Sequence, residues 1–294
     1  LEGINNLGEN LNNLIIDAKN LFFISDWVSN LYTTYGQRTS AIYGSFRILA
    51  TLKKKFPDAE IFFCWDKGRS PRRIAIHPEY KKREAPSEET KKRLSELHGQ
   101  IPFCKDLCNA LGIVTFEFEG TEADDIIASL TEILPGNKII ISSDKDFLQL
   151  ISDSVSVYST TKKIMYNYAT FVESFGLYPN QWRYYRAIVG DKSDNIDGVP
   201  GFGDVRTKSI LTRFNMDDIL GSALDDKLLL KLRLHADKLK RNIALVTLGG
   251  DKELDSKVRA ELRRQKDIKL DKEKAEQLFI KLEFNFELLD SLLV

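Results

Sequence analysis

Short unbroken apolar runs alternate along this chain with longer stretches in which apolar residues return every three or four positions. The runs at 14–16, 60–65, 113–118 and 138–143 lack polar alternation and read as strands buried on both faces. Between them, 38–55 carries Ile42, Phe46, Leu49 and Leu52 at helical spacing, and 91–111 and 122–134 also read as helices. Strand and helix in alternation predict a parallel sheet covered by helices on both faces. Residues 155–168 predict a β-hairpin turning at Thr161-Lys162, and the chain turns helical from 170. Beyond about 222 it reads as charged amphipathic helix, and 1–13 read as a loose polar leader.

Ligands of such sheets bind outside the carboxyl ends of the strands. Acidic residues fall at that edge: Asp17, Asp66, the cluster Glu122/Asp124/Asp125, the pair Asp144/Asp146 and, further on, the pair Asp191/Asp194. Carboxylates are costly to bury, and like charges held together repel until some take up protons. Divalent cations remove that conflict, and oxygen ligands suit Mg²⁺ or Mn²⁺. Paired hard metals in a carboxylate site are a device for hydrolysing phosphodiesters. Blander readings exist for each piece. Acids at 122–125 complement a helix dipole, and Asp144 caps a strand-to-helix turn. Three acids within four residues exceed the first need, and a second cluster weakens the other.

Composition narrows the class. The 294 residues allow one large domain or two modest ones, and 43% hydrophobic content supports a sizeable core. No run approaches the ~18 apolar residues of a membrane span, and the polar start has no secretory h-region. The opening Leu reads as a trimmed start, and the length with its helical tail reads as a free-standing enzyme. Three cysteines, Cys64, Cys104 and Cys108, form no framework and fit a reducing compartment. Cys104 and Cys108, one helical turn apart, read as buried or free thiols rather than a metal pair.

A net charge of zero argues against nucleic acid, but the distribution argues otherwise. Residues 67–93 hold ten Lys/Arg against four Glu, whereas acids concentrate at 117–146. A basic track beside an acidic site is the layout of a metal-dependent enzyme acting on a polyanion. Within the track lies His77-Pro78-Glu79-Tyr80-Lys81-Lys82-Arg83. Its cations could hold a scissile phosphate and Tyr80 could stack on a terminal base; a solvated charged helix is the plain alternative. Gly190-Asp191-Lys192-Ser193-Asp194-Asn195 leads into Gly198-Val199-Pro200-Gly201-Phe202-Gly203, which reads as helix, Gly-rich hairpin, helix. Glycines let a backbone approach phosphate closely, and the next helix start can bind it. Such a grip reads no sequence. A plain Gly/Pro turn is the alternative, and the acids just upstream favour the grip.

Together these segments resemble the flap endonuclease and 5′→3′ exonuclease family, in its bacteriophage and DNA polymerase I branches. The matching pieces are LIIDAKNL (14–21), CWD (64–66), PEYKKR (78–83), GTEADDIIASL (120–130), SSDKDFLQL (142–150) and VGDKSDNIDGVPGFG (189–203), in family order over about 14–215. The resemblance implies an α/β fold: a parallel-sheet, PIN-like nuclease core with a helical arch, then a helix-hairpin-helix (helix-three-turn-helix) DNA-binding region. The implied domains are 14–180, with the arch at about 67–100, and 181–294.

It implies two Mg²⁺ or Mn²⁺ ions. The first would be on Asp17, Asp66, Glu122, Asp124 and Asp125, the second on Asp144, Asp146, Asp191 and Asp194. Lys81 would be the catalytic lysine of the arch, joined by Arg83. Tyr80, Lys82, Arg186, Gly198, Gly201, Gly203, Arg206 and Lys208 would meet DNA, and a K⁺ ion would sit on backbone carbonyls of the hairpin. The chain departs from the family at three basic positions: Ile24 and Val205 stand where Arg and Lys are usual, and Arg83 is shifted from the YKxxR spacing. The implied substrate is DNA with a 5′ flap, 5′ overhang or nick, extended to an RNA primer. The implied setting is a monomer in the cytoplasm of a bacterial or phage-infected cell, away from membranes. Two rivals stay open: a non-catalytic DNA-binding module built on the hairpin, and a PIN-type ribonuclease.

Overall fold

In the computed structural model, which describes residues 12–28, 30–221 and 226–293, six strands form the central sheet. They are β1 Asn12–Asp17, β2 Glu60–Cys64, β3 Val114–Phe116, β4 Asn137–Ile141, β5 Val155–Ser159 and β6 Ile164–Tyr166, in the order β3-β2-β1-β4-β5-β6. All neighbours are parallel except β5 and β6, the expected hairpin. Leu14, Ile15 and Ile16 at its centre are wholly buried, because helices cover both faces. Each such side chain contributes roughly 1.5–3 kcal/mol of transfer free energy. The chain runs outward from β1 to β3 and then crosses to β4 on the other side of β1. The order therefore reverses between β1 and β4, where such sheets open a crevice.

The covering helices are α1 Ala18–Val28, α2 Ser40–Lys55, α3 Pro71–Ile76, α4 Glu88–His98, α5 Ile101–Ala110 and α6 Ala123–Ile133. The expected helix 91–111 is two helices. Gly99 ends α4, and Pro102 at the start of α5 has no N–H to continue the ladder. Buried Gln100 fills the break, its Oε1 accepting the Ala41 N–H at 3.0 Å. The sequence pattern carried no helix at 18–28, where α1 stands. Of the expected leader, 12 and 13 belong to β1, where the Asn13 amide donates to Pro135 O at 2.8 Å. Residues 1–11 of that leader lie outside the described residues. The arch segment holds α3 and α4 joined by 77–87.

Beyond the sheet come α7 Tyr168–Phe175 and α8 Pro179–Val189. A two-stranded ribbon follows, β7 Gly190–Asp191 with β8 Ile196–Asp197, and then α9 Asp204–Leu211. This is the expected helix-hairpin-helix. The tail holds α10 Met216–Leu220, α11 Lys227–Arg233, α12 Ala236–Val246, α13 Lys252–Gln265, α14 Lys272–Lys281 and α15 Phe286–Leu293. Its end returns to the sheet: α13 packs on α6, α14 on α5 and α15 on α2. Phe279, Phe284 and Leu288 share a core cluster with Phe46 and Leu49. Cys64, Cys104 and Cys108 are buried free thiols. Among the described residues no helix is long and apolar enough to cross a membrane.

Candidate active site

β1, β2 and β4 bring three acids to one edge. Asp17 ends β1, Asp66 follows β2 by two residues and Asp144 follows β4 by three. Asp17 is 6% exposed and accepts from the Asn20 N–H at 3.1 Å and the Ser142 hydroxyl at 2.8 Å. Asp66 accepts the Ala123 N–H at 3.0 Å, which fixes the start of α6 and with it Asp124. Asp144 accepts the Asp146 N–H at 2.8 Å. Asp146, Asp191 and Asp194 each offer a ligand oxygen, all within 4.8 Å of one another.

Electrostatics join these groups into one row. Burial, with Asp66 adding to it, pushes Asp17 up to about 6. Burial and the charges of Asp146 and Asp17 push Asp144 up to about 7. Burial and the charges of Asp191, Asp146 and Glu122 push Asp194 up to about 6. Asp124 also lies well above the carboxylate range. Burial is the main cause, Lys81 opposes it, and Asp144, Asp17 and Asp66 add to it. Asp191 goes the other way, because bonds from Ser193 and the charge of Arg186 outweigh its burial.

Four cations are set among these nine carboxylates. Lys81 Nζ lies 3.0 Å from Glu122, 3.6 Å from Asp124 and 3.8 Å from Asp194. Despite burial, those carboxylates hold its ammonium well above the ordinary lysine range. Arg186 bonds Asp146 at 2.6 Å and also Asp191. Lys19 lies 3.3 Å from Asp66. Arg73, only 1% exposed, bonds both oxygens of Asp125 at 2.6 and 2.7 Å, Glu122 at 2.7 Å and the Leu245 carbonyl at 2.9 Å. The negative excess that remains is what divalent cations would neutralise, and the donor set is all hard oxygen.

The hairpin beside the row is tightly built. Gly190 has φ +84, and a Cβ on Gly198 would lie 2.1 Å from the Val189 carbonyl oxygen. Gly198 thus serves close backbone packing, whereas Gly201, at φ +81, makes the turn. Arg206 donates to the Gly201 carbonyl at 2.7 Å, and Lys208 pairs with Asp204 at 3.1 Å. Gly203 precedes α9 as its N-cap, and Val205 beyond it is exposed.

Residues 12–176 match the family described as 5′-3′ exonuclease, N-terminal resolvase-like domain, and 177–269 match its C-terminal SAM fold. The chain belongs to the 5′-3′ exonuclease family. The 5′-3′ exonuclease of Aquifex aeolicus is 35% identical over 194 residues, 65% of this chain and 65% of that protein. The thermostable DNA polymerase I of Thermus aquaticus is 32% identical over 249 residues, 82% of this chain and 29% of that protein. The chain spans 27% of the length of the mycobacterial DNA polymerase I relatives it matches. A bacteriophage T5 flap endonuclease structure, a pseudo-enzyme–product complex with DNA and metal ions, is similar at TM-score 0.69 and 26% identity. That likeness covers 92% of this chain and 99% of the other. A second T5 structure, co-crystallised with metal ions, shares the fold at TM-score 0.70 and 24% identity, over 96% and 99% of the chains.

The expected residues divide by placement. The charges of Asp17, Asp66 and Asp144 all act on Asp124, and Asp146, Asp191 and Asp194 form the adjoining trio. Glu122 lies between Lys81 and Arg73, and Asp125 turns both oxygens to Arg73. Tyr80, expected to stack on a base, is 3% exposed and donates its hydroxyl to Glu122 at 3.1 Å. Lys82 pairs with Glu79 at 3.0 Å, and Arg83 is exposed on 77–87, outside the ion pairs of the row. Arg186, expected on DNA, spends its guanidinium on Asp146 and Asp191.

Three residues were not singled out by the sequence pattern. Arg73 looks like its exposed neighbour Arg72 until α12 is in place. Lys19, two positions after Asp17, carried no separate signal. Asn195, in left-handed conformation, donates to the carbonyls of Glu79 at 2.9 Å and Lys82 at 2.6 Å, and so brackets Lys81. Its place directly after Asp194 was the available clue.

Proposed function

We propose that this chain is a structure-specific, metal-dependent 5′ nuclease, a flap endonuclease and 5′→3′ exonuclease that hydrolyses DNA in flap or primer removal. The observation that carries the reading is the continuous carboxylate row, with three oxygens of Asp146, Asp191 and Asp194 within 4.8 Å. A DNA-binding module would need no such row. Asp17, Asp66, Asp124 and Asp144, with Glu122 beside them, would hold one Mg²⁺ or Mn²⁺, and Asp146, Asp191 and Asp194 another. Asp125 supports the first group by fixing Arg73. Bound ions would supply an activated water and charge for the leaving oxygen.

The chain's own residues do the rest. Lys81 adds a fixed ammonium beside the scissile phosphate and stabilises the charge that develops there. Asn195 holds the backbone on both sides of Lys81. Arg186 orients Asp146 and Asp191. The hairpin and the start of α9 hold the duplex by its phosphates, so binding ignores sequence. A K⁺ ion at the hairpin would be held by its backbone carbonyls, of which that of Gly201 already accepts from Arg206. The enzyme acts as a monomer in the cytoplasm, on 5′ flaps, 5′ overhangs or nicks in DNA and on RNA in primers. Incubation of a labelled 5′-flap duplex with Mg²⁺ or with chelator tests this, with RNA of the same shape as comparison. Metal-dependent release of a product carrying a 5′ phosphate is expected. Preferential cleavage of unpaired RNA would favour the ribonuclease rival.

A further inference from the structure

The acid row lies at the carboxyl ends of the strands. At the opposite end, where β2 and β3 begin, there is a cavity of about 450 Å³. That volume falls within the range of ligand pockets, roughly 300–1,000 Å³. β2 separates the two places: Glu60 at its start lines the cavity, and Asp66 of the row follows its end. Three ties between distant parts of the chain frame the space. Gln265, at the end of α13, accepts the Thr115 N–H at 3.0 Å and donates to the Thr115 carbonyl at 2.6 Å. Lys53, at the end of α2, donates to the Leu292 carbonyl of α15 at 2.6 Å. Leu111, at the end of α5, bridges to Leu270 just before α14. The cavity is therefore held open by the fold.

Its walls are largely aliphatic, with Ile61, Val114, Leu262 and Leu292 among them, and its charged residues are Lys53, Lys266 and Glu60. Glu60 and Lys266 are exposed and offset each other, which leaves the charge of Lys53. Its ammonium is half-buried, bonds a neutral carbonyl and has no carboxylate partner among the described residues. Burial, with no anion to oppose it, holds Lys53 below the ordinary lysine range. A desolvated, unpaired cation is stabilised by a nearby anion. Gln265, the one amide among the described residues of the lining, spends both ends of its side chain on Thr115, so no side-chain amide remains to read the edge of a polar ring. We propose that this cavity binds a small organic anion, with an apolar body against the aliphatic walls and a carboxylate, sulfonate or phosphate group on Lys53. Occupancy leaves the catalytic edge free, so the ligand stabilises the fold without competing with metal or DNA. The site does not depend on the 5′-nuclease reading.

The test is a titration of the full chain, in chelator, with anilinonaphthalene sulfonate, an aromatic anion whose fluorescence rises in apolar surroundings. Saturable binding of a single equivalent is expected, with a rise in melting temperature. Lys53→Gln should weaken binding roughly tenfold or more through loss of a charged contact, and Lys53→Arg should keep most of it. Val114→Trp, which fills the cavity, should abolish it. Melting curves show which variants fold, and if Val114→Trp does not, the two Lys53 variants decide. Neither excess Mg²⁺, added without chelator, nor a flap duplex should displace the dye. Equal affinity in the wild type and Lys53→Gln, binding that does not saturate, or displacement by the duplex would each overturn the site. None of these touches the nuclease reading, which stands or falls on metal-dependent cleavage.

Discussion

Arg73 meets both carboxylate oxygens of Asp125 at 2.6 and 2.7 Å, with its guanidinium 1% exposed. The pair ties α3, at one foot of the arch, to α6, which carries Asp124. Removing one partner leaves a buried charge without compensation, which costs roughly 3–5 kcal/mol. Arg73→Met should lower the melting temperature by many degrees, and Arg73→Lys should recover only part, since one ammonium cannot bond two oxygens and a carbonyl in the same plane. Thermal denaturation of the three proteins checks this.

Lys81 sits among Glu122, Asp124 and Asp194. Lys81→Ala should cost roughly 10²–10³ in rate by analogy with other charge-stabilising donors. Mn²⁺ affinity should hold or rise, because a competing cation has been removed. Single-turnover rates at saturating metal, beside a Mn²⁺ titration, separate these effects. A loss of rate that excess metal restores would make Lys81 a metal-site residue instead.

Asn195 should act through Lys81. Asn195→Ala removes bonds to Glu79 and Lys82 without touching a carboxylate. Its rate should fall in the wild-type background and barely change in Lys81→Ala. Additive losses in the double-mutant cycle would show that Asn195 works by another route.

Burial and like charge hold Asp17 and Asp194 at about 6 and Asp144 at about 7. These groups bind protons more tightly folded than unfolded. Their contribution is complete below the unfolded carboxylate range, near 4, and is lost as pH rises through 6 and 7. The metal-free protein should therefore lose stability across that window, and Asp144→Asn should lose less. Divalent ions compete with the protons, so the gain in melting temperature on adding Mg²⁺ should be larger at pH 8 than at pH 5. Asp191, held low, opposes this trend only at more acid pH.

A Cβ on Gly198 would lie 2.1 Å from the Val189 carbonyl oxygen, so Gly198→Ala must displace the hairpin. It should lower both melting temperature and flap affinity. Nothing lies within 4 Å of a Cβ on Gly203, so Gly203→Ala meets no clash and should lower the melting temperature far less, by the loss of a favoured N-cap residue alone. Melting curves and a flap titration in chelator check the pair.

The sheet and the acids were legible because the strands carry unbroken apolar runs and Asp17, Asp66 and Asp144 directly follow them. The hairpin was legible from the glycines at 198, 201 and 203. Interior partners were not. The burial of Arg73 depends on Leu245, which lies 172 residues away in sequence, and local pattern cannot distinguish Arg73 from Arg72. Tyr80 reads as an exposed aromatic in a basic run, yet the carboxylate of Glu122 draws its hydroxyl inward. α1 was hidden because Leu21, Phe22 and Phe23 stand together as a run rather than at helical spacing. The break near Gly99 was written in Gly99 and Pro102, but helical periodicity runs across it.

The most direct test of the carboxylate row is Asp144→Asn assayed on a labelled 5′-flap duplex, with binding measured in parallel. The account predicts that wild-type protein cleaves the flap in Mg²⁺ and not in chelator. It predicts that Asp144→Asn binds the flap about as well while cleaving it orders of magnitude more slowly. Undiminished cleavage by Asp144→Asn, or wild-type cleavage that persists in chelator, would contradict it.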